Sequence, residues 1–209
     1  MNLPDARSTQ AHLLLVDDDR VVLSTVASGL RQAGYHVSTA ESAEEAESLL
    51  AGGERPDLAI LDVRLSGPDG LYLAQRLREL DHIPFMMLSA YSDPQIIGQA
   101  TRLGALGYMV KPLDISQLLP GIEAALSRAD ELQGLRETRL QLQAALDAER
   151  EISIATGITM VQYRLSRGDA FDRLRTSARS QRRKLADLAA QIVQASEALS
   201  LLNCGKNPS

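Results

Sequence analysis

A chain of 209 residues, 44% hydrophobic and 23% charged, can hold one large domain, or one domain of ordinary size with a smaller unit. Its single cysteine, Cys204, rules out an internal disulfide. No apolar run approaches the roughly 20 residues of a membrane span, and the N-terminal "MNLPDARSTQAH" lacks the apolar stretch of a secretory signal, so a cytoplasmic protein is expected.

The first 125 residues alternate short apolar runs with amphipathic stretches. The runs are "HLLLV" (12–16), "YHVSTA" (35–40), "LAILDV" (58–63), "PFMMLSA" (84–90) and "GYMVKP" (107–112). They have strand length and are apolar nearly throughout, as strands buried on both faces are. Between them lie helical patterns. Val22, Val26, Gly29, Leu30 and Ala33 mark one face, ahead of Gly34 as a stop. Ser42 and Glu45 form a capping box before Ala46, Leu49 and Leu50. Leu71, Ala74, Leu77 and Leu80 mark the next face, and Ile96, Ile97, Ala100 and Leu103 another. Asp114 with Gln117 opens a fifth helix. Five strands alternating with five helices predict an α/β unit with a parallel sheet covered on both faces.

Beyond Ile115 no strand signal returns, so the remainder is all-α. Leu132, Leu135, Leu142 and Leu146 fit a heptad seam with Arg139 in the missing slot. That pattern suits a two-stranded coiled coil or a single linking helix. The helix runs on through Ile154, Ile158 and Val161. Ser166 and Asp169 then cap a second piece, with Ala170, Phe171, Leu174 and Ala178 as its apolar face and Phe171 in the core. Leu185, Leu188, Ala189, Ile192, Val193 and Leu199 give the face of a third. A unit of this size can bury only a small core.

Charge divides with the same boundary. Residues 150–209 hold ten Lys and Arg against five Asp and Glu, while residues 1–149 hold twelve against twenty-two. The asymmetry suggests two units with different partners. The basic one either faces a polyanion or carries a solvated helix face.

Asp17, Asp18 and Asp19 follow the first strand, Asp62 ends the third, and Ser89 and Lys111 end the fourth and fifth. In an open α/β sheet, that edge binds ligands. Clustered carboxylates repel one another unless a cation or a lysine offsets them. An all-oxygen set with open positions suits Mg²⁺ and a phosphate partner. Lys111 supplies a point charge, Ser89 a hydroxyl donor, and an Asp carboxylate so placed can act as a nucleophile toward phosphorus. Taken singly, each has a plainer reading, as a helix cap or a turn.

Residues 12 to about 126 resemble the receiver domain of two-component response regulators. The resemblance is carried by "LLLVDDDR", "LAILDVRLSGPDG", "MMLSAYS" and "GALGYMVKP". It implies a flavodoxin-like, CheY-like five-stranded fold. Asp62 would be the phosphoacceptor for a sensor histidine kinase. Asp17, Asp18, Asp62 and the Arg64 backbone carbonyl would hold Mg²⁺. Ser89 would be the switching hydroxyl, Lys111 the phosphate-binding lysine before a cis Pro112, and Tyr108 the switch aromatic. Asp19 is a cap or a surface charge. The domain would hydrolyse its own acyl phosphate as a timer, not as an enzyme in the usual sense. One departure is visible: Ser66 replaces the proline usual four residues after the phosphoacceptor.

The tail resembles the ANTAR module of transcription antitermination regulators. The match lies in Ala155, Gly157, Ile158 and Met160, then Ser166, Ala170, Phe171, Leu174, Arg175 and Ala178, then Arg183, Lys184, Leu185, Ala189 and Ile192. Thr156 stands where the family usually has Lys, and Arg164 where it usually has Gly. The resemblance implies binding of RNA stem-loops in nascent leader transcripts, with Thr156, Gly157, Arg164, Arg175, Arg179, Arg182, Arg183 and Lys184 as candidate contacts. It also places a helix break near residues 180–182. The expected organisation is a receiver at 11–126, a coiled-coil linker at 127–149 giving a homodimer, and an ANTAR unit at 150–204. Two other outputs stay open: a DNA-binding transcription factor, and an adaptor that binds protein through its helical tail. A catalytic tail is disfavoured, since His12, His36 and His82 all lie outside it.

Overall fold

The apolar runs become five parallel strands in the order β2-β1-β3-β4-β5. They are β1 (His12–Val16), β2 (His36–Ala40), β3 (Leu58–Asp62), β4 (Phe85–Ser89) and β5 (Tyr108–Val110). The computed structural model describes residues 11–90, 93–112 and 114–204, with side chains described to 198. The segment 1–10, Tyr91, Ser92 and the side chains of Leu199 and Cys204, all used above, lie outside the described residues. The chain forms two compact units, Met1–Gly134 and Leu135–Ser209.

In the first unit, α1 (Arg20–Gln32), α2 (Ala43–Ala51), α3 (Gly70–Arg76) and α4 (Pro94–Leu103) connect the strands. Successive strand residues face opposite sides, so the sheet has two cores. Leu13, Leu15, Leu58, Ile60, Met86 and Leu88 pack with Leu23, Ala27 and Leu30 of α1, and with Leu118, Ile122 and Ala125 of α5 (Ile115–Tyr163). Leu14, Val16, Ala59, Leu61, Phe85 and Met87 pack on the other side with residues of α2, α3 and α4. The α1 face is centred one residue beyond the expected one, on Leu23 and Ala27, with Val22 and Val26 partly buried beside it.

Local caps follow the sequence signals. Ser42 Oγ accepts from Glu45 N at 3.2 Å, while Glu45 Oε2 reaches back to Glu41 N at 2.7 Å. Gln117 Oε1 accepts from Asp114 N at 3.3 Å. Leu80 departs from expectation: it is exposed, and Leu73 takes the buried position. Residues Leu77–Asp81 form a π-helical turn. Its wider turn moves Leu80 off the face that a regular α-helix would give it.

The second unit is built from the end of α5, α6 (Arg167–Ser180) and α7 (Leu185–Cys204). Ala155, Leu174, Ala189 and Val193 form its buried centre, flanked by Ile152, Ile158, Leu185 and Ile192. Of the four central residues, only Leu174 and Val193 are larger than Ala, so their burial contributes about 3–6 kcal/mol together. Phe171 is 38% exposed, which corrects its expected core position. The buried positions of α6 are Ala170, Leu174 and Ala178, four apart. Phe171 lies about 100° round the helix from Ala170 and so leaves that face. Ser166 caps α6, its Oγ accepting from Asp169 N at 3.3 Å.

Helix α5 is continuous from Ile115 to Tyr163, with Pro120 inside it, and both expected linker boundaries fall within it. Leu135, Leu142 and Leu146 are each more than half exposed, and Leu132 is also exposed. Among the described residues, no helix is long and apolar enough to cross a membrane.

Candidate functional site

Parallel strands put all their carboxyl ends on one edge. Asp17 and Asp18 leave the sheet just after β1, Asp62 ends β3, Ser89 ends β4, and Lys111 follows β5. Ser89 is in register with Val110. The Lys111 backbone N–H donates to the Ser89 carbonyl at 2.7 Å. Tyr108 opens β5 and packs, partly buried, against the α2–α3–α4 side of the core. Lys111-Pro112 is cis. Asp19 turns away from the site to cap α1, accepting from Val21 N at 2.8 Å and Val22 N at 3.3 Å.

Lys111 Nζ donates to Asp17 Oδ2 at 2.5 Å and to Asp62 Oδ2 at 2.6 Å. Asp62 Oδ1 accepts from the Arg64 N–H at 3.2 Å. Carboxylate oxygens of Asp17, Asp18 and Asp62 lie within 4.8 Å of one another. Asp17, Asp62 and Ser89 are buried, whereas Asp18 is exposed. Burial pushes the Asp17 carboxyl above its ordinary pKa. The Lys111 hydrogen bond and charge oppose that rise, as does the Asp19 N–H, while the Asp62 charge adds to it. Burial works against the Lys111 ammonium too, but the bonds and charges of Asp17 and Asp62 outweigh it and leave its pKa raised. Three carboxylates and one ammonium leave the group short of two positive charges. Such an all-oxygen donor set fits a hard divalent cation.

In the second unit the basic residues of 175–185 divide between two helices. Helix α6 ends at Ser180, Arg182 takes φ +55°, and α7 begins at Leu185. Ala178 is buried, while Arg175, Arg179, Arg182, Arg183 and Lys184 are exposed. Arg183 Nη1 donates to Gln191 Oε1 at 2.6 Å. Arg164, also exposed, follows the end of α5 with φ +55°. Gly157 is partly exposed, with open space where a Cβ would sit. Thr156 is a correction to the expected surface set. It is only 5% exposed, and its hydroxyl donates to the Ile152 carbonyl at 2.7 Å, which satisfies it within α5. Tyr163 is exposed, with the Arg173 guanidinium 4.2 Å from its ring centre.

Residues 13–123, more than half of the chain, match the response regulator receiver domain family. The chain belongs to the response regulator family. Residues 140–193 match the ANTAR domain, so the receiver is joined to an ANTAR unit. The chain is 28% identical to the transcriptional regulatory protein PdtaR of Mycobacterium tuberculosis, over 87% of this chain and 89% of that protein. It is 36% identical to the transcriptional regulatory protein AfsQ1 of Streptomyces coelicolor, over 56% of this chain and 52% of that one. Among solved structures it is similar to a CheY-like receiver domain protein of Methanospirillum hungatei, with TM-score 0.54 and 25% identity, covering 58% of this chain and 98% of that one. A response regulator from Chloroflexus aurantiacus gives TM-score 0.53 and 35% identity, covering 56% and 98%.

Two residues of the receiver edge escaped the sequence reading. The Ser66 hydroxyl donates to Asp18 Oδ2 at 2.6 Å, across 48 positions of sequence. The missing proline was the available signal, but not the partner. Gly70 donates its N–H to the Val63 carbonyl at 3.0 Å. A Cβ there would fall 1.8 Å from the Asp62 carbonyl oxygen. The "GPDG" turn hinted at a glycine need, but not at this close approach.

Proposed function

We propose that this response regulator is controlled by phosphorylation, binds stem-loop RNA in nascent leader transcripts, and prevents transcription termination. A sensor histidine kinase supplies the phosphoryl group. An Asp62 carboxylate oxygen attacks phosphorus, the P–N bond of the phosphohistidine breaks, and its electron pair returns to the imidazole. The carrying observation is the bridged cluster, with Lys111 Nζ in hydrogen-bond reach of both Asp17 and Asp62. Asp17, Asp18, Asp62 and the Arg64 backbone carbonyl would hold Mg²⁺, which when bound supplies positive charge to phosphate oxygens. Lys111 would turn an N–H toward a phosphoryl oxygen, and the Ser89 hydroxyl would donate to another. Ser89 and Tyr108 then couple the added charge to a two-state change in the β4–α4–β5 region.

The output surface is the exposed set Arg164, Arg175, Arg179, Arg182, Arg183 and Lys184 with the partly exposed Gly157, and Thr156 is left out because it is buried. Contacts from these arginines and the lysine to phosphate make binding strongly salt-dependent. The exposed ring of Phe171, and the face of Tyr163 away from Arg173, are surfaces on which loop bases can stack. Two copies pair through Leu132, Leu135, Leu142 and Leu146, whose exposure fits an unfilled seam. We assign 11–126 to the receiver, 127–149 to the linker and 150–204 to the ANTAR unit.

The test is binding of the acyl-phosphate-treated protein to leader RNA from its own operon and to the matching duplex DNA, over a salt series. Preference for the duplex, or no binding to either at low salt, refutes the antiterminator reading. Asp62→Asn should abolish phosphorylation. Full labelling of that variant would refute the assignment of Asp62.

A further inference from the structure

The three carboxylates of the receiver edge are not held alike. Asp17 and Asp62 share Lys111, both are buried, and each also accepts a backbone N–H, from Asp19 and Arg64 respectively. Asp18 is exposed, and its hydrogen bond comes from a different loop, through Ser66 Oγ to Oδ2 at 2.6 Å. An exposed aspartate left to itself samples several rotamers, and ordering it on a ligand costs entropy. A hydroxyl fixed on one carboxylate oxygen removes much of that freedom and leaves the other oxygen to a cation. Partners of this kind orient ligating carboxylates, and their loss typically lowers metal affinity 10- to 100-fold.

We infer that Ser66 is the positioning residue for Asp18: its hydroxyl presets that carboxylate for a divalent cation. This rests on the Mg²⁺ reading given above. A proline at this position, as the receiver resemblance leads one to expect, would carry no hydroxyl, so the bond depends on the serine. It also ties the loop after β3 to the loop after β1 without using Lys111. Because the bond is exposed, its effect belongs at the lower end of the range, near 10-fold.

The experiment is calorimetric titration of the unphosphorylated full chain with MgCl₂, for wild type, Ser66→Ala, Ser66→Thr and Asp18→Asn. Melting temperatures in EDTA are recorded for each. Ser66→Ala should bind Mg²⁺ about 10-fold more weakly, with its melting temperature in EDTA unchanged. Ser66→Thr, which keeps the hydroxyl, should stay within about threefold of wild type. If Ser66→Ala binds like wild type while Asp18→Asn does not, the inference falls and the Mg²⁺ reading stands. If wild type fails to bind, or Asp18→Asn binds equally well, both fall together. A Ser66→Thr loss as large as that of Ser66→Ala, or a Ser66→Ala melting drop in EDTA, would also overturn the positioning role.

Discussion

Replacing Lys111 with Met keeps most of the side-chain volume and removes the cation between Asp17 and Asp62. Two charge-assisted hydrogen bonds are lost. At about 1.5–3 kcal/mol each, the gross loss is about 3–6 kcal/mol. A ceiling applies, because the fold can protonate one stranded carboxyl instead. That costs about 1.4 kcal/mol for each pH unit above an ordinary pKa of about 4, or roughly 4 kcal/mol at pH 7. The Lys111 side chain is 19% exposed, so solvent screens part of the interaction. The expected deficit is therefore about 3 kcal/mol at pH 7 without divalent ions. At pH 4.5 the ceiling falls below about 1 kcal/mol, and the deficit should shrink with it. Native-state hydrogen exchange of β1 and β3 amides in EDTA reads this within the receiver alone. A deficit under about 1 kcal/mol at pH 7, or an equal deficit at both pH values, refutes the reasoning.

The raised Lys111 pKa carries its own sign. Its stabilisation is fully present below the ordinary lysine pKa and is lost as pH rises through the folded value. Wild type should show an alkaline loss of stability, measured by circular dichroism, that Lys111→Met lacks. Arg164→Gly should stabilise the second unit by about 0.5–1 kcal/mol, since a left-handed side-chain residue costs about 1–2 kcal/mol and glycine returns part of that as chain entropy. Exchange protection of α6 amides checks it, and Arg164→Ala, which keeps a Cβ, should show no gain. Gly70→Ala should lose about 3 kcal/mol or more, because its Cβ would meet backbone, not a movable side chain. Urea unfolding of the receiver reads that loss. Ser166→Ala should cost about 1 kcal/mol through the lost N-cap, seen as faster exchange in the first turn of α6.

The inner strands β1, β3 and β4 were legible because both of their faces are buried, whereas the edge strands β2 and β5 are only partly covered. "HLLLV" is apolar after its first residue, and β1 spans the same five residues. The lysine-bridged carboxylates were legible because each sits at a strand end, and strand ends in a parallel sheet converge. Leu80 and Phe171 were misread because periodicity has two conditions, and each residue fails a different one. Periodicity assigns a face only while the helix stays regular and the packing partner is wide enough. A π turn broke the first condition at Leu80. A narrow buried face broke the second at Phe171, which lies beside and not on the row Ala170, Leu174 and Ala178. The Ser66 bond was invisible because no spacing rule links two loops that meet only after the sheet has formed.

Gly70 has a meaning for variation as well as for folding. In a saturation library every substitution there would bring a Cβ to within 1.8 Å of the Asp62 carbonyl oxygen. The strand that presents the phosphoacceptor would be pushed before any new side chain had its own effect. Functional clones should therefore keep glycine at 70 while accepting many residues at exposed Arg64 and Gln75 nearby. The chemical site is thus guarded by a position that carries no chemistry, and its tolerance profile would look like that of a nucleophile.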